Sequence, residues 1–176
     1  MTEPLSSRQG VGGLVSVSEV SSLDIAHFRE VLGHFVTGVV VITAATPDGP
    51  VGFTCQTFGA LSLEPTLISF SARTLSNSWP RVRDVGTVGV NILSSDQEAV
   101  ARVFATTGVD KFDGVGWSPG PNSAPLIGGA LAHLEGGIAF VSAQGDHDIV
   151  VVKVDYVASH SGTPLVFYRG GFTALD

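Results

Sequence analysis

Residues 36–43 read Val-Thr-Gly-Val-Val-Val-Ile-Thr, and this run constrains the fold more than any other stretch. β-Branched side chains lose rotamers against a helical turn but pack well on a pleated surface, so the run predicts a strand. Pro47-Asp48-Gly49 follows at once and supplies a turn. Further extended runs come at Val51–Leu61, Thr66–Ser71 and Thr87–Leu93. Ala130–Val141 and Ile149–Ser159 are joined at Gln144-Gly145-Asp146, and Pro164–Arg169 closes the chain as a short last strand. Six or seven strands with few helices predict a mainly β chain, an antiparallel barrel with peripheral helices.

Two helices are expected beside the strands. Ser21-Ser22-Leu23-Asp24 can cap the first, where Phe28, Val31, Leu32 and Phe35 recur at i, i+3, i+4 and i+7 as one apolar face. The second opens at Ser95 with Glu98 three residues on as a capping box, and turns Val100, Val103 and Phe104 inward. Residues 114–128 are rich in Pro and Gly and read as a long connection. Residues 1–20 are rich in Ser and Gly without a sustained period and read as a flexible leader, so the folded domain is expected over 21–176. A chain of 176 residues has room for one domain of ordinary size.

Composition removes several classes of function. Net charge is −7 with only nine Lys plus Arg, which argues against a nucleic-acid binder that must offset phosphate charge. The one cysteine, Cys55, excludes a disulfide framework and a cysteine-based zinc site. Mean hydropathy is +0.35, yet no uncharged run reaches the ~18 apolar residues of a membrane helix. The first residues carry Glu3 and no apolar signal segment, so a soluble cytoplasmic protein is expected. Gly-x-Gly-x-x-Gly, the P-loop, Gly-x-Ser-x-Gly and His-Glu-x-x-His are all missing, and the five histidines lack metal-ligand spacing. What remains is chemistry carried by a bound organic cofactor.

Four stretches invite a functional reading. Thr54-Cys55-Gln56-Thr57 puts small polar side chains where a core strand would carry Val or Ile, and these can meet the edge of a planar heterocycle. A half-exposed edge strand alternates in the same way. In Ser71-Ala72-Arg73-Thr74-Leu75-Ser76-Asn77-Ser78-Trp79-Pro80, an arginine, hydroxyls and a helix start converge as a phosphate site would require; a plain capped helix has the same text. His147, in Gly145-Asp146-His147-Asp148, begins the returning strand of a hairpin and is free to face a cleft or solvent. Tyr168 and Arg169 precede Gly170-Gly171 and suit ring stacking and phosphate pairing, or simply a flexible exit. Cys55 reads as a small packed residue rather than a nucleophile. Phe104 and the Asp110-Lys111-Phe112 segment could cover a cleft but read as core and surface.

In this order the stretches resemble the short-chain flavin reductases, the small components of two-component flavin-dependent monooxygenases. The matching text is residues 35–43, Gly-Phe-Thr-Cys-Gln-Thr-Phe-Gly-Ala-Leu-Ser-Leu-Glu-Pro at 52–65, Val-Asn-Ile-Leu at 90–93, residues 101–112 ending Asp-Lys-Phe, Gly-Asp-His at 145–147, and residues 164–172. The likeness is greatest to reductases that serve hydroxylases of phenolic compounds, including those of steroid-ring degradation. It implies a split β-barrel of the FMN-binding, Greek-key type, usually a homodimer with the flavin near the subunit interface. It further implies that NADH, or NADPH, reduces FMN or FAD, and that the reduced flavin passes to a separate oxygenase. Carried over by position, Thr37, Gly38, Thr54, Cys55, Gln56 and Thr57 would line the isoalloxazine and ribityl chain. Ser62, Arg73, Ser76 and Ser78 would hold the phosphate side, and His147, Tyr168 and Arg169 would meet the nicotinamide nucleotide. No metal is implied. Other enzymes on such a barrel, acting on pyridoxal phosphate or deazaflavin, and a non-catalytic FMN-binding protein are the alternatives.

Overall fold

The computed structural model describes residues 23–175; the leader expected at 1–20 and the cap expected at Ser21 lie outside them. In chain order the elements are α1 (Ile25–Leu32), β1 (Thr37–Gly38), β2 (Val40–Thr46), β3 (Gly49–Cys55), β4 (Gly59–Leu63) and β5 (Thr66–Arg73). Then come α2 (Trp79–Val85), β6 (Thr87–Ile92), α3 (Glu98–Ala105), and the short strands β7 (Trp117–Pro119) and β8 (Pro125–Ile127). The long hairpin β9 (Ala132–Gln144) and β10 (His147–Ser159) follows, and β11 (Leu165–Tyr168) and β12 (Gly171–Ala174) end the chain. Seven strands form one antiparallel sheet in the order β3-β2-β6-β9-β10-β5-β4, while β1, β11 and β12 form a small second sheet.

The β-branched run is buried on both faces of β2, which explains why it does not alternate. Val40 and Ile42 face the barrel interior with Phe53, Phe70, Val88, Val90, Val150 and Val152. Val39 and Val41 face the opposite way, onto Ala101 and Phe104 of α3, Ile127 and Leu165. Trp79 of α2 plugs the interior: its ring meets Phe53 and Phe70 edge-on at 6.4 and 6.0 Å. Its indole Nε1 donates to Asp148 Oδ2 at 2.7 Å, which pins α2 to β10.

Several boundaries differ from the sequence expectation, each for a long-range reason. The strand expected over Val36–Thr43 is two, because β1 pairs with β11 while β2 pairs with β3 and β6. The strand expected over Val51–Leu61 is also two, and its halves β3 and β4 form opposite edges of the main sheet. Between them Thr57 Oγ1 accepts from Ser71 N at 2.7 Å and donates to Ser71 O at 3.2 Å. Side-chain bonds, not a backbone ladder, thus bring the β3 end to β5, and the barrel is split there.

The capping box lies one residue earlier than expected. Gln97 Oε1 accepts from Ser94 N at 3.1 Å, and Ser94 Oγ donates to Gly129 O at 3.0 Å, because Ser95 N is already bonded to Thr163 O. Ala101 and Phe104 are the buried residues of α3, with Val100 and Val103 only half-buried. The connection at 114–128 contains the β7–β8 hairpin, anchored by Asn91 Oδ1 accepting from Ile127 N at 2.7 Å and Thr43 Oγ1 donating to Pro125 O at 2.6 Å. Pro164–Arg169 is not the last strand. Arg169 (φ 47°) and Gly170 (φ 80°) adopt left-handed backbone and turn the chain back into β12.

Helix α1 has the expected apolar face and buries none of it. Asp24 caps it, its Oδ1 accepting from Ala26 N at 2.9 Å. Phe28 and Phe35 are 47% and 75% exposed. Among the described residues no helix is long and apolar enough to cross a membrane.

Candidate functional site

A cleft of about 1450 Å³ opens beside the split. Its walls are β3 with Gln56 and Thr57, the end of β5, the turn 75–78, the end of α3 with the segment 105–113, and His147 at the start of β10. Phe167 and Phe172, packed at 5.2 Å between ring centroids, close one side. Arg73, Arg81, Arg102 and Lys111 all line the cleft, against Asp48, Asp110 and Asp113. In a chain with only nine Lys plus Arg, four cations around one cleft favour an anionic ligand.

Hydrogen bonding separates the polar groups that hold the fold from those with capacity left. Thr54 Oγ1 donates to Ala101 O at 2.6 Å and ties β3 to α3. Thr57 is doubly bonded to Ser71. The Cys55 thiol is buried 3.3 Å from Thr57 Oγ1, and burial pushes its pKa up. Gln56 is different. It is half-buried in the cleft wall and its amide has no side-chain bond among the described residues, so two donors and an acceptor are left unused by the fold.

The turn after β5 carries two hydroxyls in defined states. Ser76 Oγ accepts from the backbone N–H groups of Ser78 and Trp79, each at 3.2 Å. Ser78 Oγ accepts from Lys111 Nζ at 3.2 Å. Neither O–H proton has an acceptor among the described residues, which leaves both for a ligand. Arg73 is exposed at the strand end, with no ion pair among the described residues, and its Cα partner across the β5–β10 ladder is His147. His147 Nδ1 lies 2.7 Å from Asp146 Oδ1. The hydrogen bond and charge of His147 hold the Asp146 carboxyl below its ordinary value. An ionised carboxylate only accepts, so Nδ1 donates and Nε2 is the ring nitrogen left over.

The structure thus brings Thr54, Cys55, Gln56, Thr57, Arg73, Ser76, Ser78 and His147 to one cleft. Thr37, Gly38, Ser62, Tyr168 and Arg169 do not line it. Thr37 and Gly38 belong to β1 in the small sheet, and the Thr37 hydroxyl is buried without a partner among the described residues. Ser62 is on the edge strand β4. Arg169 donates its backbone N–H to Gly33 O at 3.0 Å and lays its guanidinium 5.5 Å from the Tyr168 ring centre, beside His34. Lys111, in the segment read from the sequence as surface, is half-buried and lines the cleft with Phe104 and Phe112. Its signal was its scarcity, as one of two lysines in the chain with Lys153. No group of three or more His, Cys, Asp or Glu is placed to hold a metal ion among the described residues.

Comparison with known proteins gives this chain a lineage. The sequence model of the flavin reductase like domain matches residues 32–176. The reductase subunit HsaB of a flavin-dependent monooxygenase from Mycobacterium tuberculosis is 40% identical over 159 residues, 89% of this chain and 85% of the relative. Among solved structures, nitrilotriacetate monooxygenase component B from Mycobacterium thermoresistibile superposes with a TM-score of 0.83 at 40% identity, covering 86% of each chain. The NADH:FAD oxidoreductase SgcE6 of Streptomyces globisporus, in complex with NAD and FAD fragments, matches with a TM-score of 0.83 at 35% identity, covering 87% of this chain and 93% of that one. The split barrel is the fold these structures share. With its family match over residues 32–176, this chain belongs to the flavin reductase-like family and is a flavin reductase, the reductase component of a two-component monooxygenase.

Proposed function

We propose that the cleft holds the isoalloxazine, ribityl and phosphate portion common to FMN and FAD, with the nicotinamide nucleotide entering past His147. The observation that carries this reading is that hydrogen-bonding capacity left unused by the fold converges on one cavity. The Gln56 amide suits the polar edge of a heterocycle. Ser76 and Ser78 offer free O–H donors and Arg73 a free guanidinium, a set that fits a phosphate. The residues present fit a flavin nucleotide.

A bound flavin supplies the hydride acceptor, its N5, for the nicotinamide C4. The chain contributes position rather than reactive groups. Thr54 and Thr57 hold the β3 wall rigid through Ala101 and Ser71. Asp146 orients the ring of His147 through Nδ1 and leaves Nε2 to hydrogen-bond a carboxamide or ribose hydroxyl. Phe167 and Phe172 screen one side from water. Holding two rings at reacting distance accounts for several kcal/mol of a barrier, which is why no triad is needed.

The reading extends to an assembly. Thr37, Gly38, Tyr168 and Arg169 share their surface with the exposed face of α1, and Ser62 lies between the exposed Leu61 and Leu63. Their part in the site depends on a second copy covering these faces, as a homodimer. NADH rather than NADPH is the donor, FMN or FAD the acceptor, and the oxygenase partner acts on a phenolic compound; the resemblance of the motifs supports each. Such a reaction belongs in the cytoplasm, where NADH is supplied.

Steady-state kinetics test the site. His147→Ala should raise KM for NADH about tenfold with flavin KM little changed, and Arg73→Ala should do the reverse. Identical effects of the two substitutions would sink the assignment. Turnover across NADH, NADPH, FMN and FAD checks the substrate pair.

A further inference from the structure

Lys111 carries three N–H donors and no acceptor, and all three are engaged within the protein. Nζ donates to Gly52 O at 3.1 Å, to Phe104 O at 2.9 Å and to Ser78 Oγ at 3.2 Å. The ammonium joins β3, the last turn of α3 and the turn before α2. No carboxylate pairs with it among the described residues. Partial burial lowers its pKa, while two carbonyls and a hydroxyl oxygen favour the charged form.

The consequence falls on Ser78. An ammonium cannot accept, so Ser78 Oγ must, and the hydroxyl proton is directed away from Lys111. That proton finds no acceptor among the described residues, and Ser78 lines the cleft. Without Lys111 the hydroxyl could rotate and offer a lone pair to the cavity, repelling an anion.

We propose that Lys111 is a positioning residue that sets the polarity of the Ser78 hydroxyl, making it an outward donor to the ligand's phosphate, and that it places an uncompensated positive charge behind that donor. This rests on the placement of the flavin phosphate at Ser76 and Ser78 given above. A lysine that merely tied three elements together would support every ligand of the cleft equally. One that polarises Ser78 supports only ligands that carry a phosphate.

Riboflavin and FMN differ by that phosphate, so their dissociation constants, measured by fluorescence titration on the full chain, separate the two roles. Wild type should bind FMN more tightly than riboflavin. Lys111→Met should weaken FMN about tenfold and riboflavin by no more than about twofold. Ser78→Ala should lose FMN affinity selectively, and the double substitution should be no worse than Lys111→Met alone. Equal weakening of both flavins by Lys111→Met, or fully additive losses, would overturn the proposal while leaving the phosphate placement standing. Wild type that does not distinguish the two flavins would overturn the placement itself. Should Lys111→Met not fold, Lys111→Gln takes its place: a loss confined to FMN supports the proposal, and equal weakening of FMN and riboflavin, or none, rejects it.

Discussion

Cys55 shows how little a residue's type says about its behaviour until its surroundings are known. Its thiol lies under the cleft wall, 3.3 Å from Thr57 Oγ1 and 3.7 Å from Ser71 O. Burial raises its pKa, and the neighbouring hydrogen bonds only partly offset that. A raised folded-state value favours the neutral thiol. The stability it contributes is therefore present below the ordinary thiol pKa and is lost as pH rises beyond it. At pH 8 iodoacetamide should alkylate the native protein at least about tenfold more slowly than the unfolded chain; equal rates would contradict a buried neutral thiol. The neighbours Thr54, Gln56 and Thr57 look alike in sequence and differ in what they have left to offer. Thr54 and Thr57 have their hydroxyls engaged by Ala101 and Ser71, and only Gln56 is free.

Among the elements, the β7–β8 hairpin depends on side chains far from it. Glu135 of β9 is 1% exposed and accepts from Ala124 N at 2.9 Å and Asn122 N at 3.2 Å. Glu135→Ala strands the buried Ala124 N–H and leaves that of exposed Asn122 to solvent, at about 2 kcal/mol of stability. Glu98→Ala breaks only the exposed pair with Arg102 on α3, worth about 0.5 kcal/mol or less. Denaturant midpoints should separate the two variants clearly, with amide exchange in 117–127 accelerated only in the first; equal midpoints would show that Glu135 is not the anchor. This dependence also explains why 114–128 reads as a bare connection. Its own text is Pro and Gly, and the groups that order it, Asn91 and Glu135, belong to strands on either side in sequence. The strand over Val36–Thr43 was legible because its signal is internal, whereas its break at Val39 was not, because two different sheets claim the two halves.

At the scale of the whole molecule, the outstanding feature is exposed apolar surface among the described residues. Ile25, Phe28, Val31, Leu32, Phe35 and Val36 are all at least 47% exposed along and beyond α1. A contiguous patch of this kind is unusual on a monomer and marks an interaction face. The proposed homodimer would cover it. Light scattering at micromolar concentration should give twice the chain mass of 18.2 kDa, and Phe28→Asp with Val31→Asp should shift the protein toward the monomer. A monomeric wild type would remove the assembly, and with it the parts assigned to Tyr168 and Arg169.

The amino-acid sequence by itself determined the mainly β class, the antiparallel hairpins, the apolar face of α1 and the motif order that marks the family. The first three follow from β-branched runs, a 3.6-residue period and turn chemistry, which act over a few neighbours, and the motif order is read by resemblance. Only the tertiary structure decided that β3 and β4 lie at opposite edges, and which polar groups are free in the cleft. A side chain's remaining hydrogen-bonding capacity is set by partners remote in the chain, such as Gly52, 59 residues from Lys111, and Ala101, 47 residues from Thr54. No local pattern carries that information.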